Sequence, residues 1–138
     1  MIALLGNIFT FAAAALSGLF GLIYLTKPKF MNYHRMAVQK NWEELNPEMR
    51  TLITALMRAL SSGFLAVAFA LAYLQIQFDR THEPWIALAI LVTGSILAFG
   101  SLYAMILIRT KTNGRPPIPL VSLIFFLMIA GYFCNIYG

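Results

Sequence analysis

The sequence predicts an all-α membrane protein: a four-transmembrane-helix antiparallel bundle with a short interfacial helix between its first and second spans. Three observations carry that prediction. Sixty per cent of the 138 residues are apolar and 11% are charged, against roughly a quarter charged in an average soluble domain. Mean hydropathy is +0.77, and a soluble chain this short could not hide so much apolar surface in one core. Apolar stretches at 2–26, about 52–76, 85–108 and 118–137 each hold 20 or more residues, enough to cross a hydrocarbon core of about 30 Å at 1.5 Å per residue.

The stretches contain no Asp, Glu or Lys, and Arg58 is their only arginine. Backbone groups in lipid must be satisfied within the segment, so the stretches read as helices. The ten-residue alternation of a β-barrel strand is absent. The first stretch lacks the cationic start and the small-x-small cleavage site of a signal peptide, its first lysine being Lys27, and is expected to stay as a mature helix. A single integral membrane domain over 1–138 is expected, with no soluble appendage.

The ten cations set the expected orientation. Lys27, Lys29, Arg35, Lys40 and Arg50 lie between the first two spans, and Arg109, Lys111 and Arg115 between the last two; Arg80 stands alone opposite. Cationic short loops stay in the cytoplasm, so loops 27–51 and 109–117 are expected inside and both termini outside. The net charge of +5 is thus a topology signal, and nucleic acid is not an expected partner, because the cations follow the lipid boundary and form no basic domain. Tyr24, Tyr33, Trp42 and Tyr103 are expected at the inner boundary; Tyr73, Trp85, Tyr132 and Tyr137 at the outer one.

Element by element, Pro28 ends or bends the first helix. Phe30, Tyr33, Ala37 and Val38 recur at helical spacing, predicting an amphipathic interfacial helix over 30–45. Asn41 and Glu44 have capping-box spacing. Asn46-Pro47-Glu48 is a helix start: a cap, a first-turn proline and an acid at the positive dipole end. The second helix is then about 30 residues long, its first two turns outside the hydrocarbon. In the outer loop 78–84, Thr81 is the expected cap of the third helix. Asn113-Gly114 and three prolines mark the turn before the fourth. Helix contacts are expected at small residues, which let backbones approach in lipid: Gly18 and Gly21 (with Ala14 and Ser17), Ala59 and Gly63 (with Ala55), and Gly94 and Ala98 (with Ser101).

Chemistry-bearing residues are few. His34 and His82 fall on opposite sides of the membrane, roughly 30 Å apart, so one chain cannot supply a bis-histidine haem site. Asp79, His82 and Glu83 read as a solvated loop; no metal and no cofactor is expected. Buried acids of the kind that relay protons are missing from the spans. Cys134 is a lone cysteine and reads as a packing residue. Asn7, Gln75 and Asn135 fall at similar depth and are expected to hydrogen-bond one another, or to cradle a polar ligand. Arg58 lies near the inner end of its span, where it can snorkel and pair with Glu43, Glu44 or Glu48, or line a site for an anion or lipid phosphate.

The stretch Lys27-Pro28-Lys29-Phe30-Met31-Asn32-Tyr33-His34-Arg35, followed by Trp42, Leu45, Leu56-Met57-Arg58 and Gly63, resembles a loose family of small uncharacterised four-span bacterial membrane proteins with a Phe-Met-x-Tyr-His pattern after the first helix. The likeness covers the first half of the chain. It implies the same four-helix layout and a bacterial inner membrane, and it brings no activity. The expected function is a non-enzymatic accessory or structural subunit, with no catalytic residue. Its contacts with membrane lipids, with other membrane proteins or with a second copy would use Lys27, Lys29, Phe30, Tyr33, His34, Arg35, Trp42 and Arg58. The alternative is a small-molecule or lipid-binding carrier with Arg58 and His34 at an anionic site. A membrane enzyme borrowing a cofactor at a subunit interface is a third class.

Overall fold

The computed structural model describes residues 2–138. It contains α1 (Ile2–Thr26), α2 (Asn32–Val38), a 3-10 turn at Trp42–Glu44, α3 (Pro47–Thr81), α4 (Pro84–Lys111) and α5 (Ile118–Tyr137). All but α2 are long and apolar enough to cross a membrane. In the bundle α1 packs on α3 and α5, and α4 packs on the same two. The long helices therefore form a closed ring in the order α1, α3, α4, α5, each antiparallel to its neighbours, as short connections demand. The chain is an integral membrane protein with a four-helix bundle fold.

Local signals fix most of the boundaries. Asn46 caps α3 by accepting from the Met49 N–H at 2.8 Å, with Pro47 as its first residue. Asn41 opens the 3-10 turn, its N–H donating to Glu44 Oε2 at 2.6 Å. The interfacial helix is shorter than the predicted 30–45. Gln39 takes a left-handed conformation at φ 54°, and its N–H closes on Arg35 O at 2.9 Å. That is a helix C-terminus, and the predicted capping box starts a separate turn.

Helix α3 is longer than expected, 35 residues, or about 52 Å. It runs through Phe78, which is buried, and stops where His82 turns left-handed at φ 54°. Thr81 is therefore the last residue of α3 and not the cap of α4. Its hydroxyl donates back to Gln77 O at 3.0 Å, and Glu83 stands at the cap position of α4.

Small residues bring the backbones together, though only some of the expected ones. A Cβ on Gly21 would lie 2.9 Å from Leu65 Cγ of α3, and one on Gly18 would touch Ala68 at 3.5 Å. Gly94 faces Met128 across α4 and α5, and Ala98 is buried beside it. Ala59 and Gly63 make no such contact: Ala59 is exposed, and a Cβ on Gly63 would meet nothing within 4 Å. Their place in the α1–α3 seam is taken by Ser61, whose hydroxyl donates to Gly21 O at 2.8 Å. Between α1 and α5 the close approaches are Gly6 against Asn135 and Gly131 against Thr10.

Candidate functional site

The end of the bundle that carries α2 is organised by one missing donor. In an α-helix the N–H of residue i bonds the carbonyl of i−4, so Tyr24 O waits for the N–H of residue 28. Residue 28 is Pro28, which has none. The last α1 carbonyls are left open at the negative end of the helix dipole. Arg58 of α3 fills the vacancy, its guanidinium donating to Tyr24 O at 2.6 Å and to Lys27 O at 3.2 Å. The expected pairing of Arg58 with Glu43, Glu44 or Glu48 does not occur. Glu43 pairs with Lys29, Glu44 caps the 3-10 turn, and Arg58 is used as a cap across helices.

Beside this cap an aromatic stack climbs out of the bundle. Phe64 meets Phe20 at 4.6 Å between ring centroids, and Phe20 stacks on Tyr24 at 4.7 Å. Tyr24 hydrogen-bonds Tyr33 of α2, hydroxyl to hydroxyl. Trp42 closes the outer end, edge-on to Phe30 at 5.1 Å. Tyr24, expected at the headgroup boundary, is only 1% exposed. Its place at the α1–α3 seam, three residues beyond Gly21, turns it inward. Tyr33 is buried with it, and burial raises the Tyr33 phenol pKa. Of the other boundary aromatics Tyr73, Trp85, Tyr103 and Tyr137 face outward, while Tyr132 is half-buried against the core.

Helix α2 is clamped from its far side by the turn before α5. A Cβ on Gly114 would lie 2.9 Å from Tyr33 O and 3.1 Å from Ala37 Cβ. Glycine is needed there for space. Within α2, His34 is half-buried, 4.1 Å ring to ring from Tyr33 and edge-on to Tyr24 and Phe30. Its Nδ1 accepts the Met31 N–H at 3.3 Å. Burial pushes its pKa down to about 4, so at neutral pH the ring is uncharged, with its proton on Nε2.

The eight residues expected to form one patch thus divide. Phe30, Tyr33, His34, Trp42 and Arg58 tie α1, α2 and α3 together. Lys27, Lys29 and Arg35 are exposed around them as a cationic rim. Sequence reading missed the cavity beneath α2. It has a volume of about 300 Å3 and is walled by residues of α1, α2, α3 and α4, with His34 among them. Its signal was available only as His34 and Ile108, residues 74 apart that the turn at Gly114 brings together.

At the opposite end the expected polar trio is in place. Gln75, fully buried, donates to Asn7 Oδ1 at 2.6 Å and to Asp79 Oδ1 at 3.1 Å. Asn135 donates to Gln75 Oε1 at 2.9 Å. His82 lies at this end, far from His34, and among the described residues no three His, Cys, Asp or Glu side chains converge as metal ligands. Comparison with protein-family models, with curated proteins and with solved structures returns no match, so the reading of both ends rests on the geometry of the chain itself.

Proposed function

We propose that this integral membrane protein is a non-enzymatic subunit that assembles side by side with another membrane-spanning helix, and that the outer face of α3 is the contact. One observation carries this reading. Ala55, Ala59, Ser62 and Ala66 follow each other at three- and four-residue steps on α3 and are all exposed, with Gly63 beside them open to its surroundings. Elsewhere the exposed small residues are fewer, Ala15 on α1 and Gly100 with Ala104 on α4, among large outward side chains such as Leu19, Ile96, Phe99 and Phe126. On α3 itself the stripe runs out at Phe69 and Tyr73. Lipid tails gain nothing from a smooth helix face, whereas a second helix does, because small residues admit its backbone to close range. The exposed Lys27, Lys29 and Arg35 would then sit at the anionic headgroups of the cytoplasmic leaflet, with both termini outside. A bacterial inner membrane is the setting that the resemblance implies.

The carrier reading with an anion held by Arg58 and His34 has less support. The guanidinium is engaged by the carbonyls of Tyr24 in α1 and of Lys27 just beyond it, and the imidazole is neutral.

The test is the mass of the complex in mild detergent or nanodiscs, by native mass spectrometry. Ala59→Leu with Gly63→Leu leaves the bundle intact, since neither side chain has an internal neighbour to displace. The wild type is expected to carry a second copy or a different membrane protein, and the double variant to be alone. A wild-type chain already alone, or a variant that keeps its companion, would overturn the proposal.

A further inference from the structure

The cavity beneath α2 has a character of its own, independent of the α3 face just described. Ile53, Leu56, Met57 and Leu60 of α3 form one wall, Ile108 of α4 closes it, and His34 is set into the opposite side. Leu56 and Leu60 are also exposed on the outer surface of a helix that reads as a span, so a mouth between them and α2 would open sideways toward lipid. What enters comes from the lipid phase. An apolar cavity of about 150 Å3 holds a benzene; one of about 300 Å3 has room for a substituted six-membered ring or a comparable head, with a tail left in the bilayer.

The polar atoms on the wall decide what that head can be. Tyr24 contributes a hydroxyl already bonded to Tyr33. His34 contributes Nε2, because Nδ1 is occupied by the Met31 N–H. With Nδ1 accepting, Nε2 is the ring atom left to carry the proton, and no hydrogen bond among the described residues uses it, so His34 is the one side chain on this almost wholly apolar wall with an N–H to give. No cation lines it, and Arg58 is directed at the α1 carbonyls. A carboxylate or phosphate would enter without a counter-charge, at a desolvation penalty of several kcal/mol. A donor-only head would leave His34 unanswered.

We infer that this cavity binds a lipid-soluble molecule whose head is an uncharged hydrogen-bond acceptor, a carbonyl or ester oxygen received by His34 Nε2–H. Two lipid-phase sources share that chemistry: a quinone ring with an isoprenoid tail, and the ester of a neutral acylglycerol.

The chain has two histidines, His34 and His82, at opposite ends, so nitrogen-15 NMR of histidine-labelled protein in nanodiscs carries its own control. Decylubiquinone and dioctanoylglycerol are titrated separately, with decanoate and dodecane as the anionic and featureless probes. A saturable shift of His34 Nε2, with His82 unmoved, is expected for at least one of the first two, and which one responds identifies the source. His34→Phe keeps the shape of the side chain and removes the donor. Followed by the same titration through the fluorescence of Trp42 in a Trp85→Phe background, it should weaken that probe about tenfold, the worth of one hydrogen bond. Leu60→Trp, placed at the mouth, should block binding while α2 keeps its hydrogen-exchange protection. The inference fails if neither acceptor shifts His34, if decanoate or dodecane shifts it equally, or if His34→Phe binds as well as wild type. Because the Ala59→Leu, Gly63→Leu variant leaves this wall untouched, the titration can be repeated on it, and failure of the assembly proposal is separable from failure of this one.

Discussion

Replacing Arg58 by methionine keeps most of the aliphatic stem and removes every donor. In the native bundle the guanidinium makes two hydrogen bonds to carbonyls at and just past the end of α1, the shorter at 2.6 Å to Tyr24 O. Hydrogen bonds from a charged donor contribute about 1.5–3 kcal/mol each. The second, at 3.2 Å and exposed, belongs at or below the bottom of that range. The variant also leaves Tyr24 O without a partner in a buried seam. Together these predict a loss of about 3 kcal/mol, read as the shift in the unfolding midpoint in detergent micelles under denaturant.

The cause of that loss can be isolated, because the vacancy at Tyr24 O originates with Pro28. Pro28→Ala restores an N–H at the position that an α-helix would use for Tyr24 O. In that background Arg58→Met removes a bond that the backbone can replace, and only the bond to Lys27 O is lost outright. The double-mutant cycle should therefore show a coupling of about 1–2 kcal/mol between residues 30 positions apart in sequence. Arg58→Lys is expected to fall between wild type and Arg58→Met, since one ammonium cannot reach two carbonyls in the geometry of the fork. An Arg58→Met loss below about 0.5 kcal/mol, or a cycle that adds without coupling, would refute the cap.

Three further outcomes follow from the same structure. Gly114→Val drives a side chain into Tyr33 O and Ala37 Cβ; a loss of about 1–3 kcal/mol, with faster amide exchange confined to α2, is expected by hydrogen-exchange mass spectrometry. Gln75→Leu deletes two interhelical partnerships at once, with Asn7 and Asn135, besides the bond to Asp79 within α3, and at roughly 0.6–2 kcal/mol per interhelical bond it should lower thermal stability more than Asn7→Leu does. The His34 pKa, depressed by burial from 6.5 to about 4, means that the unfolded chain binds a proton between those values and the folded chain does not. Stability should therefore fall as pH drops from about 6.5 toward 4. The titratable groups meeting the ring are the phenols of Tyr24 and Tyr33, which stay neutral throughout that window. In His34→Phe the part of the acid sensitivity due to this ring should vanish, checked by melting curves at pH 7 and pH 5.

Much of the fold was legible because lipid leaves few options: a long apolar run has to be a helix, and short loops have to make neighbours antiparallel. The cap at Asn46 and the trio Asn7, Gln75 and Asn135 were legible for a related reason, being polar groups with few partners in reach. What escaped was register. Ala55, Ala59 and Gly63 recur at four-residue steps just as a buried seam would, and nothing along α3 says which side of the helix α1 occupies. The answer lies in Ser61, Phe64 and Leu71, one face further round. Tyr24 looked like a boundary tyrosine because tyrosines near helix ends usually are; only Tyr33, brought back by α2, offers its hydroxyl a partner inside. Thr81 has the look of a cap for α4 because the apolar run of α3 stops at Ile76, but Phe78 is buried and carries the helix another turn.

Arg58 and Pro28 show where sequence reasoning could have gone further. A proline after an apolar helix leaves a carbonyl four residues back with nothing to accept from, and in a membrane that carbonyl cannot turn to bulk water. The orphan at Tyr24 was therefore deducible from residues 24 and 28 alone. The demand it makes is specific: a long donor, charged or not, reaching from a neighbouring helix at the same depth. Arg58 is the only cation within the apolar runs, and this demand explains its presence where a leucine would be easier to insert. Together with the Ser61 bond to Gly21 O, the same bond helps to set the height of α3 against α1, and so of Met57 and Leu60 against α2. Met57 and Leu60 form part of the wall of the cavity beneath His34, so a shift of α3 would reshape it. A chain in which the cap fails should then lose ligand uptake along with stability, so Arg58→Met is expected to abolish the His34 response to an acceptor probe although no atom of Arg58 lines the cavity.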